Sequence, residues 1–104
     1  MLVVNTENIP GREIYQVIGI VRGSTVRAKN IFRDIGAGLK NIIGGELKDY
    51  TRLMDEAREE TLRRLVKEAE KLGANAIVNV RFSTASLMGA ASEIMAYGTA
   101  VKVR

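Results

Sequence analysis

The clearest pattern of apolar and polar positions runs over 46–72. Leu47, Tyr50, Met54, Ala57, Thr61, Leu65, Ala69 and Leu72 recur every three or four residues. At 3.6 residues per turn these positions fall on one face of an α-helix. Charges occupy the other side, with Glu59 and Arg63, Glu60 and Arg64, and Arg64 and Glu68 at favourable offsets. Such pairs contribute only ~0.2–0.5 kcal/mol each, so burial of the stripe holds the helix in place. Gly44 and Gly45 interrupt whatever precedes it, and Lys71 with Gly73 forms a stop signal. A rise of ~1.5 Å per residue makes the helix roughly 40 Å long.

The rest of the chain reads mainly as strand. Leu2, Val3 and Val4 form a short β-branched run, and Ile9-Pro10-Gly11 signals a turn. The stretch 14–26 (IYQVIGIVRGSTV) is the strongest strand, with Gly19 and Gly23 marking bulges or close packing. Simple alternation sends Ile14, Ile18 and Ile20 to one face and Tyr15, Val17 and Val21 to the other, so both faces are apolar. The segment 28–43 places Ile31, Ile35, Leu39 and Ile42 at helical offsets behind an Asn30 cap, loosened by Gly36 and Gly38. After the long helix, 74–84 alternates Ala76, Val78, Val80 and Phe82 against Ile77, Asn79, Arg81 and Ser83. A loop is expected over 85–92. A last strand over 93–104 sets Met95, Tyr97, Val101 and Val103 against Ile94, Ala96 and Ala100. The expected fold is α+β, one domain over 1–104, in β-β-α-β-β order with an antiparallel sheet packed on one long helix. Strands apolar on both faces need a second cover, which the 28–43 segment or another subunit can supply.

Composition narrows the chemistry. The 104 residues include no Cys and no His, which removes thiol and imidazole mechanisms and the usual zinc ligands. The net charge is +4, but 16 basic residues are mixed with 12 acidic ones, and two Phe and three Tyr offer little base stacking. A nucleic-acid partner is disfavoured. No apolar run reaches the ~20 residues of a membrane span, and the N-terminal residues lack the pattern of a secretion signal. The expectation is a soluble, cytoplasmic protein.

Three clusters are candidates for function. Arg22, Ser24, Thr25, Arg27 and Lys29 stand around Gly23 at a strand end and form a candidate site for a small anionic ligand. The alternative is that the hydroxyls only satisfy a turn. Asp49, Asp55, Glu56, Glu59 and Glu60 line the outer face of the helix, but Arg52, Arg58, Arg63 and Arg64 are interleaved and neutralise it as a metal site. Ser83, Thr84, Ser86, Ser92 and Glu93 converge with Ser24 and Thr25 if both loops reach one end of the sheet. With no base among them, serine nucleophilic catalysis has no support.

The blocks VRGSTVRAKN at 21–30, GGEL at 44–47, LGANA at 72–76 with VRF at 80–82, and SEIMAYGTAV at 92–101 resemble the YbjQ-like family of small bacterial and archaeal proteins. The resemblance implies a dodecin-subunit-like fold and a ring-shaped homopentamer. The family also carries a heavy-metal-binding label, yet soft and borderline metals select thiolate and imidazole, so no metal ligand carries over. The reading is therefore a non-enzymatic homo-oligomer binding a small ligand or partner. The other readings are an anion binder or anion-dependent enzyme acting through Arg22, Ser24, Thr25, Arg27 and Lys29, and a metal binder. No cofactor is named by the residues.

Overall fold

The apolar stripe forms α1, Glu46–Lys71. The structure, a computed structural model, describes residues 1–28, 46–87 and 91–104. Ala57, Thr61, Leu65 and Ala69, one per turn, are completely buried. Leu72 falls outside the helix and is exposed, because the chain turns one residue earlier than the stripe implies. That turn is a Schellman stop: the Ala74 N–H reaches the Ala69 carbonyl at 3.1 Å and the Gly73 N–H reaches Glu70 at 3.0 Å. Gly73 takes φ +81°, which a Cβ would penalise.

Four strands form one sheet: β1 Leu2–Val3, β2 Ile14–Ala28, β3 Ala76–Leu87 and β4 Ala91–Val103, in the order β1-β3-β4-β2. The sheet is mixed, and the expectation of an antiparallel sheet is corrected. Only β4 runs against its neighbours; β1 pairs with β3 in parallel. Two crossovers account for this: the one through α1 returns the chain to β3 in the direction of β2, and the connection from β1 to β2 also joins parallel strands, which leaves β1 parallel to β3. The expected loop over 85–92 is also corrected. Ala85, Ser86 and Leu87 pair with Glu93, Ser92 and Ala91, and residues 88–90 lie outside the described residues. Small and hydroxylated side chains gave no alternation there because that part of β3 has little to bury, yet the backbone ladder continues. The helix expected over 28–43 lies outside the described residues, except for Ala28, which ends β2.

Three bulges, two in β2 and one in β3, reset which side chains meet α1. In β2 the register slips between Ile14 and Gln16 and again between Val17 and Gly19, where Gly19 has φ +150°. Each extra residue shifts the alternation. Ile18 and Val21 therefore face the helix, while Ile14, Val17 and Ile20 face away, a different partition from simple alternation. In β3 the slip between Val78 and Arg81 holds Asn79 at φ +55°. As a result Val80 joins Ile77 against the helix, while Ala76 and Val78 pack on the opposite face. β4 has no slip against β2 beyond Gly19, and Ile94, Ala96 and Ala100 share the helix side as expected.

The core has two parts. Val21, Leu65, Ala69, Ala74, Ile77, Val80, Ala96 and Ala100 fill the space between α1 and the sheet. On the other face, Ala76, Val78, Val101 and Val103 are covered by Val4, Ile9 and Ile14. The connection from β1 to β2 must cross from one edge of the sheet to the other, and this crossing supplies the cover. It turns at Ile9-Pro10-Gly11-Arg12, where the Arg12 N–H reaches Ile9 at 3.0 Å and Gly11 takes φ +81°. Beyond this cover, the face opposite α1 is open among the described residues.

Candidate functional site

Gly23 is where α1 comes closest to the sheet. A Cβ there would stand 2.7 Å from the Thr61 carbonyl oxygen and 2.9 Å from the Arg64 carbonyl carbon, with the Leu65 nitrogen nearer still. Only glycine lets the helix backbone lie this close to β2. Next to this contact Thr25 points inward. Its hydroxyl shares a 2.9 Å hydrogen bond with the Thr61 hydroxyl, which also bonds the Ala57 carbonyl at 2.8 Å.

Strand alternation therefore divides the anion cluster expected from the sequence. Arg22 and Ser24 project to the face away from α1, and Thr25 is sealed beneath the helix. Thr25 is corrected from candidate ligand to core residue. Lys29 lies outside the described residues, as does the side chain of Arg27. The hydroxyl cluster is divided in the same way. Ser24, Met95 and Ser83 form one row across the sheet, and Thr25, Ile94 and Thr84 form the next row, on the opposite face.

What joins Arg22 and Ser24 comes from the helix. A cleft of about 400 Å³ at the outer edge of β2 is lined by Arg22, Gly23, Ser24, Arg64, Lys67 and Glu68. Arg64 donates to the Ser24 carbonyl at 2.7 Å and to Glu60 at 3.2 Å. Glu60 also accepts from Arg63 at 2.7 and 2.9 Å. The Arg63 hydrogen bond, helped by the charges of both arginines, holds the Glu60 carboxyl below its ordinary value despite some desolvation. Glu68 pairs with Lys71 at 3.0 Å, not with Arg64. Arg22 and Lys67 have no partner among the described residues. The sequence reading missed Arg64 and Lys67 as lining residues. Their signal was Gly23, whose close packing brings the helix face bearing 64, 67 and 68 to Arg22 and Ser24.

Comparison with known proteins gives the lineage. A family model described as "Putative heavy-metal-binding" matches residues 1–104. The chain belongs to the YbjQ-like family, UPF0145. A UPF0145 protein of Archaeoglobus fulgidus is 53% identical over 104 residues, covering 100% of this chain and 96% of the relative. Another, from Dehalococcoides mccartyi, is 54% identical over 103 residues, covering 99% of each. Among solved structures, a protein of unknown function from Pediococcus pentosaceus, described as belonging to the DUF74 family, superposes with a TM-score of 0.64 at 18% identity. The match covers 100% of this chain and 98% of that one, and it supports the α+β fold alone.

The donor set of this YbjQ-like chain does not fit the metal in that description. It has neither Cys nor His, and among the described residues no three carboxylates gather as ligands. Two of the helix carboxylates are taken up locally: Asp55 pairs with Arg58 at 2.9 Å, and Glu60 with Arg63 and Arg64. Among the described residues no helix is long and apolar enough to cross a membrane.

Proposed function

We propose that the chain is the subunit of a ring-shaped homo-oligomer that binds a small ligand or partner, with the open face of the sheet buried against neighbouring copies. One observation carries this reading. Val17, Ile20, Val26 and Tyr97 stand on that face at 65%, 81%, 52% and 39% exposure, and no described residue covers them. Exposed apolar side chains gathered on one sheet face mark an interface.

The sheet edges support a head-to-tail arrangement. β2 is an outer strand along its whole length, and among the described residues no backbone pairs with the outer edge of β3 beyond Val80. Two unlike open borders on one chain favour heterologous contacts, which close into rings when the rotation between copies allows. A count of five, and a likeness to the dodecin subunit, rest on the family resemblance.

Light scattering at micromolar concentration tests the reading. The expected mass is about five times the 11.4 kDa of one chain. A stable monomer overturns it.

A further inference from the structure

We infer that the cleft between the outer edge of β2 and α1 is a binding site for a small organic or inorganic phosphate. The inference goes beyond self-association, and it requires that contacts between copies leave the outer edge of β2 uncovered at Arg22, Gly23 and Ser24.

The charge of the lining comes first. Arg22, Arg64 and Lys67 are cationic and Glu68 is the one acid, so the walls carry a net charge of +2. Glu68 is also engaged with Lys71. A phosphate monoester, at about −2 near neutral pH, matches that balance.

The directional groups come next. Ser24 presents its carbonyl to Arg64, on the side away from β4. In an antiparallel ladder the N–H and C=O of one residue point the same way. The Ser24 N–H therefore also faces outward, as an edge donor beside the cations. Arg64 is held at both ends of its guanidinium by Glu60 and the Ser24 carbonyl. Its position is set before any ligand arrives, which lowers the ordering cost of binding. Arg22 and Lys67 have no described partner to give up.

Size and lining define the ligand further. A volume of about 400 Å³ lies within the usual range for small-molecule sites. Among the described residues no aromatic side chain lines the cleft, so a nucleobase finds no stacking partner among them. The geometry selects inorganic phosphate or a sugar phosphate over a nucleotide. The competing role for these cations is to guard an open strand edge against unwanted pairing. Guarding needs positive charge alone and predicts no saturable anion site.

The test is titration of the full chain with inorganic phosphate, ribose 5-phosphate and adenosine monophosphate, with sodium chloride matched for ionic strength. Amide shifts are followed by NMR, and mass by light scattering in the same samples. Saturable shifts at Gly23 and Ser24 with both inorganic phosphate and ribose 5-phosphate, no tighter with the nucleotide, are expected. R22Q and K67Q should each weaken the apparent Kd about fivefold while leaving the melting temperature unchanged, since both side chains lie at the solvent edge. Shifts that follow chloride equally, or saturable binding that neither variant weakens, overturn the site. The parallel mass measurement reports assembly separately, so failure of the ring and failure of the phosphate site give different results.

Discussion

At Gly23 a single missing methyl group decides how α1 lies on the sheet. Substituting G23A places a Cβ 2.7 Å from the Thr61 carbonyl, and the helix must move to admit it. The expected cost is about 1–3 kcal/mol, read as a lower urea midpoint with an unchanged slope. An unchanged midpoint would contradict the close crossing. The neighbouring hydroxyl pair makes a second prediction. T61V leaves the buried Thr25 hydroxyl without its 2.9 Å partner and should cost about 1–3 kcal/mol. Removing both hydroxyls in T25V/T61V should cost less than the sum of the two single changes, and strict additivity would show the pair to be uncoupled. Asn79 is a third case. At φ +55° it occupies a conformation that Asn tolerates and β-branched residues do not. N79G should be near neutral, whereas N79V should lower stability by about 1–2 kcal/mol in thermal unfolding. Gly23 was legible in the sequence as a mark of close packing, but Asn79 was not, because its strained backbone comes from the bulge around it.

For the elements, type was legible, while strand phase and the ends of β3 and β4 were not. The helix was read from its 3.6-residue stripe to within one residue of its end, because that stripe is long and its periodicity strong. The strands were each located, yet alternation was carried straight through 14–26 and 74–84. Bulges at Gly19 and Asn79 moved Ile18, Val21 and Val80 to faces that a strict period of two does not assign. A bulge is a pairing property of two strands, so one strand alone does not reveal it. Charge pairing along α1 behaves similarly. Glu60 collects Arg63 and Arg64, whereas the sequence offset favoured Arg63 with Glu59. The Glu60 carboxyl has a lowered folded-state value, so its contribution is present above the unfolded value and is lost as pH falls through the folded value. In a pH series of urea unfolding, E60Q should show a shallower acid limb than the parent. Identical limbs would mean that the arginines do not hold this carboxylate. Half of the candidate anion site was visible in the sequence, as Arg22 and Ser24; Arg64 and Lys67 were hidden because they lie some 40 positions away.

At the scale of the whole molecule, an extended shape leaves much of the sheet uncovered by the described residues. The chain measures 54 × 27 × 17 Å with a Cα radius of gyration of 16.9 Å. A compact domain of about 100 residues has a radius near 13 Å. The excess fits the outer stretches of β2, β3 and β4, where every residue from Arg81 to Ser86 is exposed. I20D places a charge at the most exposed apolar position of the open face. It should lower the mass seen by light scattering while keeping the far-UV circular dichroism of the parent. Retention of the parental mass would move the interface elsewhere on the chain.

From the order of its residues alone, this chain determined that it would form one long amphipathic helix and strands with more apolar surface than one helix can cover. It also excluded thiol and imidazole chemistry. Those properties depend on local periodicity and on which residue types are present. Only the tertiary structure decided that β1 joins in parallel, that Thr25 is buried, and that Arg64 and Lys67 stand beside Arg22 at one cleft. These outcomes depend on how the helix crosses the sheet at Gly23 and on bulges set by strand pairing. Both bring distant residues together through space, which spacing along the chain does not encode.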